Sequence, residues 1–122
     1  MAKILIIDDN EQVRKVMASY LEHDNHEIAL AADGKQGISR LQSQTFDLVI
    51  TDIIMPEQDG LEVLMWLKTQ VNRPKVIAVS GGSPSLDLNY LINMAQRLSA
   101  DKVLQKPFDF MTLTTAVREL LA

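Results

Sequence analysis

The 122-residue chain contains no cysteine and only two histidines, His23 and His26. A chain without cysteine cannot form a disulfide, a thiol nucleophile or a thiolate metal site. Two histidines in one short stretch, with no thiolate to join them, make a zinc site hard to build. These absences exclude thiol chemistry and disfavour zinc chemistry.

The sequence also lacks an excess of basic residues and any long apolar run. Its 12 lysines and arginines are outnumbered by 16 aspartates and glutamates, so the formal net charge is -4. A mildly acidic domain is a poor candidate for direct nucleic-acid binding, which needs clustered Lys and Arg. The apolar run at residues 4–7 is too short for a signal peptide or a membrane span. We therefore expect one cytoplasmic domain over residues 1–122, with no nucleic-acid or membrane partner.

What the chain does contain is an alternation of apolar runs and amphipathic segments. The runs at residues 4–7, 48–51 and 76–79 are largely apolar, which is typical of parallel strands buried on both faces. Weaker strand patterns cover residues 27–31 and 102–105. Helical patterns begin near residues 11, 35, 60, 86 and 110. This order predicts a flavodoxin-like (βα)5 doubly wound α/β sandwich, with a five-stranded parallel sheet in the order 2-1-3-4-5.

Acidic residues stand at the ends of two predicted strands. In the order 2-1-3-4-5 the switch point lies between the strands that end at Asp8-Asp9 and at Asp52, and ligands bind at such points. Three carboxylates at one edge repel each other unless a cation neutralises them, and Mg²⁺ prefers oxygen ligands. Taken alone, Asp8-Asp9 is better explained as a cap of the first helix. The convergence with Asp52 instead favours a metal site in which Asp9 and Asp52 supply carboxylates.

Two further polar residues end predicted strands, Ser80 after the fourth and Lys106 after the fifth. Alone, Lys106 could extend its ammonium to solvent and Ser80 could simply begin the turn at Gly81. Together with the acids they fit phosphoryl transfer, with Asp52 as the nucleophile that forms an aspartyl phosphate. Lys106 and the metal would neutralise the phosphoryl oxygens, and Ser80 would donate a hydrogen bond to one of them. Pro107 allows a cis peptide bond after Lys106.

On these motifs the chain resembles, over its whole length, the receiver domain of bacterial two-component response regulators. The motifs are Ile6-Ile7-Asp8-Asp9-Asn10, Asp52-Ile53-Ile54-Met55-Pro56 with Asp59-Gly60, Ser80-Gly81 and Lys106-Pro107-Phe108. Each motif is weak alone, but four of them in this order on one βα frame are specific. In its single-domain form the chain is similar to the chemotaxis regulators.

The resemblance implies that Asp52 is phosphorylated by a histidine kinase, by a phosphotransfer protein or by a small donor such as acetyl phosphate. It implies Mg²⁺ held by Asp9, Asp52 and the main-chain carbonyl of Ile54, with Asp8 acting through water. It also implies that Ser80 is a hydroxyl that moves to the phosphoryl group, and that Lys106 pairs with that group.

The resemblance further implies that the signal reaches a downstream protein through the face of the fourth helix, fifth strand and fifth helix. Dimerisation on phosphorylation is left open. The chain departs from the family pattern in two places on this face. Val103 stands three positions before Lys106, where the family often has an aromatic residue. The stretch from Ser80 to Lys106 is several residues longer than usual, and we place the extra length in residues 81–87.

Three other functions compete with this interpretation. A haloacid-dehalogenase-type phosphatase needs a second aspartate two residues after the nucleophile, where this chain has Ile54. A flavodoxin-type FMN carrier needs a Ser, Thr and Gly-rich phosphate loop, and Asp8-Asp9 would repel a phosphate there. A phosphorylation-independent interaction module stays the main alternative, although the acids and Lys106 speak against it. Beyond catalysing its own phosphorylation and dephosphorylation, the domain is not expected to be an enzyme.

Overall fold

The computed structural model describes residues 1–53, 60–81, 93 and 95–122, and within these ranges strands and helices alternate as predicted. No helix of this part of the chain is long and apolar enough to cross a bilayer. The strands are β1 Lys3–Ile7, β2 Glu27–Ala31, β3 Leu48–Asp52, β4 Lys75–Ser80 and β5 Lys102–Gln105. The helices are α1 Glu11–His23, α2 Gly34–Ser43, α3 Gly60–Lys68 and the C-terminal helix Phe110–Leu121.

The helix predicted to begin near residue 86 lies largely outside the described residues. Residues 95–98, which end that prediction, are helical. The predicted loop extension at residues 81–87 also falls outside the described part, apart from Gly81.

All strand pairs of the sheet are parallel, and the strand order is β2-β1-β3-β4-β5, which confirms the predicted fold. The register places Ile7 opposite Thr51, so Asp8 and Asp52 follow at adjacent strand ends. The register also places Ser80 opposite Gln105, one residue before Lys106. Asp8, Asp52, Ser80 and Lys106 therefore lie at the carboxyl edge of the sheet.

The central strands β1, β3 and β4 are buried on both faces, which is why their sequences are apolar without alternation, whereas the edge strands β2 and β5 are only partly buried. Residues 4–7 are fully buried, and successive residues belong to opposite core layers. One layer, between the sheet and helices α2 and α3, contains Leu5, Ile7, Val49, Val63, Leu64 and Leu67. The other layer, beneath α1 and the C-terminal helix, contains Ile4, Ile6, Met17, Leu21, Leu113 and Val117. Each such buried side chain contributes about 1.5–3 kcal/mol to folding.

Helix α2 packs tightly against β1 at Gly37. A Cβ atom added to this glycine would collide with Cδ1 of Ile7 and lie only 2.8 Å from its Cγ1. Because Ile7 is fully buried, its side chain has little room to move away. The main chain of α2 therefore packs directly on the residue that precedes Asp8.

The turn between α1 and β2 contains a histidine that should make the stability depend on pH. The Nδ1 atom of His26 accepts a hydrogen bond from the amide of Ala2 at 3.1 Å. Burial lowers the pKa of His26 below the ordinary value of 6.5, although the Asp24 carboxylate acts in the opposite direction. The folded state thus binds this proton less tightly than the unfolded state. Stability should therefore fall as pH drops below about 6.5 and level off once folded His26 is protonated.

Urea unfolding in Mg²⁺-free buffer between about pH 7 and pH 5 checks this expectation, because carboxylates titrate mostly below that window. His26→Gln should flatten the dependence of the unfolding free energy on pH. His23→Gln, at the exposed last residue of α1, is the matched control. An equal slope in wild type and His26→Gln would show that the prediction is wrong.

Candidate functional site

The ends of four strands bring acidic, basic and hydroxyl groups together at one edge of the sheet. One carboxylate oxygen each from Asp8, Asp9 and Asp52 lies within 4.8 Å of the other two. Asp8 is completely buried and Asp52 is only 5% exposed, whereas Asp9 is exposed. The cluster therefore has two acids inside the protein and one at its surface.

Lys106 bridges the two buried acids. Its Nζ donates to Oδ2 of Asp8 at 2.9 Å and to Oδ2 of Asp52 at 3.0 Å. Burial of the amine opposes its protonation, but the hydrogen bonds to both carboxylates outweigh this and raise the pKa of Lys106 above 10.5. The ammonium is therefore charged at neutral pH. The main-chain amide of Lys106 also donates to the carbonyl of Ser80 at 2.8 Å, and the Lys106–Pro107 peptide bond is cis.

Ser80 supplies a buried hydroxyl beside this cluster. The residue is 1% exposed, and its Oγ has no hydrogen-bond partner within the described ranges. A buried polar group without a partner costs about 1–3 kcal/mol. The hydroxyl could therefore donate a hydrogen bond to an anionic oxygen bound at this edge.

The main chain around the acids is fixed by Asn10 and Arg14. Asn10 caps α1, as its sequence position predicts, by accepting from the amide of Val13 at 3.1 Å. The Asn10 amide also donates to Oδ1 of Asp8 at 2.9 Å. Arg14 donates from Nη1 to the carbonyl of Asp8 at 2.6 Å. The sequence does not indicate this role of Arg14, since a lone arginine on a helix gives no sign of a bond to the preceding turn.

Among the predicted site residues, the structure brings together Asp8, Asp9, Asp52 and Lys106, and places Ser80 at the end of the adjoining strand. Ile54, predicted to offer its carbonyl to the metal, lies outside the described residues. The three carboxylates provide only oxygen donors, which is the donor type that Mg²⁺ requires. The donor set of the cluster thus fits this ion.

Val103 occupies the position at which the related pattern often has an aromatic residue. It lies in β5 opposite Ala78 and packs, half-buried, against the core layer of α2 and α3. An aliphatic side chain packed in this way has no hydroxyl and no ring to move between two positions.

The fold and the site define an open α/β domain with a lysine-bridged carboxylate cluster at the switch point of its sheet. Residues 4–118 match the family model of the response regulator receiver domain, and the chain belongs to this family.

A curated relative supports the same assignment. The response regulator ArlR of Staphylococcus saprophyticus is 30% identical over 125 residues, which cover 99% of this chain and 53% of that protein. The chain thus spans about half the length of the curated relatives it matches.

Solved structures of receiver proteins superpose closely on the chain. A CheY-like receiver domain protein from Methanospirillum hungatei gives a TM-score of 0.90 at 26% identity, covering 99% of this chain and 94% of its own. The response regulator TrrA of Thermotoga maritima, in complex with Mg²⁺-BeF, gives a TM-score of 0.85 at 30% identity. It covers 99% of this chain and 100% of its own.

Proposed function

We propose that residues 1–122 form the phosphoacceptor module of a two-component phosphorelay, with Asp52 as the acceptor. The observation that carries this proposal is the bridge from Lys106 to the nearly buried Asp52, at 3.0 Å, in a cluster of three acids. A buried carboxylate beside a fixed ammonium is suited to receive a group that brings further negative charge.

The proposed reaction moves a phosphoryl group onto an oxygen of Asp52. A bond forms between that oxygen and phosphorus while the bond from phosphorus to the donor breaks, and the leaving group keeps the electron pair. This chemistry depends on positioning and charge neutralisation more than on covalent help from the protein. Lys106 can move from the acids to a phosphoryl oxygen, and Ser80 can donate to another oxygen its hydroxyl, which has no partner in the part of the chain that the structure describes.

We assign the metal of this site as Mg²⁺, held by Asp9, Asp52 and the main-chain carbonyl of Ile54, with Asp8 acting through water. When bound, the ion would neutralise charge on the phosphoryl oxygens. The oxygen-only donor set supports this assignment. The Mg²⁺ in the TrrA complex, a relative of 30% identity, supports it as well.

The proposed donor is a histidine kinase or a phosphotransfer protein in the cytoplasm, where ATP supplies the phosphoryl groups. The proposed target is a downstream protein that reads the face of the fourth helix, β5 and the C-terminal helix. Because Val103 offers no ring or hydroxyl on this face, the readout should not depend on an aromatic switch at that position. Membrane and nucleic-acid partners are not proposed for this domain.

Incubation with acetyl phosphate and Mg²⁺ tests the proposal. Intact-mass spectrometry should show one phosphoryl adduct per chain, and chelation of Mg²⁺ should prevent it. Release of many phosphates per chain would instead indicate a phosphatase. Failure to form an adduct with acetyl phosphate or with phosphorylated histidine donors would favour the phosphorylation-independent interaction module.

Asp9→Asn should raise the stability of the metal-free protein and abolish most of its response to Mg²⁺. The exposed Asp9 carboxylate lies beside two buried acids, and its removal relieves a like-charge repulsion of about 1 kcal/mol. The measurement is the Tm in EDTA and in Mg²⁺. Glu22→Gln, an exposed acid of α1 outside the cluster, is the control. A full Mg²⁺ response in Asp9→Asn would contradict the role given to Asp9.

A further inference from the structure

Asp8 is held by hydrogen bonds to its main chain and to both of its carboxylate oxygens. Its amide donates to the carbonyl of Ala31 at 3.2 Å, and its carbonyl accepts from Nη1 of Arg14 at 2.6 Å. Its Oδ1 accepts from the amide of Asn10 and its Oδ2 from Nζ of Lys106, both at 2.9 Å. Each of its four polar groups therefore has a partner, and the partners come from different parts of the fold.

The bond from Arg14 is separate from the capping of α1. Asn10 already caps the helix, and its carbonyl accepts from the amide of Arg14 at 3.0 Å. The Arg14 side chain instead turns back to a carbonyl six residues earlier, outside the helix. Beyond the last paired residue, Ile7, the Asp8 amide still donates to β2, but among the described residues no main-chain amide provides a partner for the Asp8 carbonyl. Arg14 supplies it.

The position of this carbonyl gives the bond its importance. The oxygen belongs to the rigid, planar peptide unit that joins the Cα atoms of Asp8 and Asp9. A hydrogen bond to this carbonyl oxygen therefore helps to fix the positions of the two Cα atoms from which both acidic side chains extend. A guanidinium forms a charge-assisted bond, about twice as strong as a neutral one, and Arg14 is half-buried, where water competes less.

We propose that Arg14 is a positioning residue, which fixes the Asp8–Asp9 peptide and thereby sets both carboxylates for Mg²⁺ and for the phosphoacceptor. This inference rests on the proposed function for its metal, but the tether itself exists in the metal-free protein. Partners that orient metal ligands commonly contribute 10–100-fold to metal affinity. Because Arg14 orients two metal ligands through the peptide they share, removal of its side chain should weaken Mg²⁺ binding. Removal of a positive charge by itself would have the opposite effect and strengthen Mg²⁺ binding.

Three variants separate the tether from its charge. Arg14→Met keeps the aliphatic stem without a donor, and Arg14→Lys keeps the charge and one donor group. Lys15→Met removes a neighbouring positive charge that, among the described residues, pairs only with Glu11 at the surface, at 3.1 Å. Calorimetric titration with Mg²⁺ should show a Kd about tenfold higher for Arg14→Met, with most of the affinity recovered in Arg14→Lys and none lost in Lys15→Met.

A second measurement uses the metal-free protein. Hydrogen exchange of the Asn10 amide, which donates to Asp8, should accelerate in Arg14→Met and return towards the wild-type rate in Arg14→Lys. Equal or tighter Mg²⁺ binding by Arg14→Met, or equal weakening by Lys15→Met, would overturn the inference. Unchanged Asn10 exchange would also overturn it. A wild-type protein that fails to bind Mg²⁺ would contradict the metal assignment, while the exchange rates would still decide whether Arg14 is a tether.

Discussion

Asp52→Asn is expected to take up no phosphoryl group from acetyl phosphate or from a phosphorylated histidine donor. The substitution preserves the shape of the side chain and one oxygen that can accept from Lys106. It replaces the anionic nucleophile with a neutral amide, which does not displace a leaving group from phosphorus under these conditions. Intact-mass spectrometry in Mg²⁺ buffer measures the outcome directly, and a thermal melt shows whether the variant is folded.

The matched control for this variant lies near the opposite end of the same strand. Asp47 immediately precedes β3, and its Oδ2 accepts from the amide of Lys3 at 2.8 Å. Asp47→Asn removes the same charge at the amino edge of the sheet and should leave the adduct intact. A normal adduct in Asp52→Asn would place the acceptor elsewhere and refute the proposed chemistry.

Lys106→Met should lower the free energy of unfolding by about 3–5 kcal/mol in metal-free buffer. The variant keeps a side chain of similar length but leaves the carboxylates of Asp8 and Asp52 without their shared ammonium. Both acids are at most 5% exposed, so water cannot replace the lost partner cheaply. Such a loss is a large part of the 5–15 kcal/mol that stabilises a typical domain. Urea unfolding in EDTA measures it.

Lys102→Met provides a control from β5, the strand that leads into Lys106. Lys102 pairs with Glu119 at 2.9 Å, but their side chains are 31% and 56% exposed, and surface pairs contribute about 0–1 kcal/mol. Mg²⁺ should restore part of the stability of Lys106→Met, because the acids then regain a cation, and should do little for Lys102→Met. Equal losses in the two variants would mean that Lys106 does not neutralise the acids.

The fold was predictable because a parallel sheet buried on both faces produces an unmistakable sequence pattern. β3 and β4 were predicted to within one residue at each end, and β2, β5 and the C-terminal helix were predicted with their observed bounds. Strand order then followed from topology, and with it the meeting of Asp8, Asp9 and Asp52.

Other features depended on contacts that no local pattern encodes. Helical spacing places Val16 on the same face of α1 as Met17, yet Val16 is 48% exposed because it lies at the rim of that face. Similarly, the position of Lys106 after a strand does not predict its bonds to two acids, and the position of Arg14 in a helix does not predict its bond to Asp8. Long charged side chains often bond to partners that are distant in sequence, so their contacts can be seen only in the folded structure.

The packing of α2 on β1 has a consequence for the interpretation of variants in this domain. Gly37 lies on the buried face of α2, far along the chain from the acids, and it has no side chain to act on them. Any larger residue there would push on Ile7 and so displace the strand end that carries Asp8. In a functional screen, a substitution at Gly37 would therefore give the same phenotype as a substitution in the acidic cluster. An unchanged melting temperature would not show that the cluster is undisturbed.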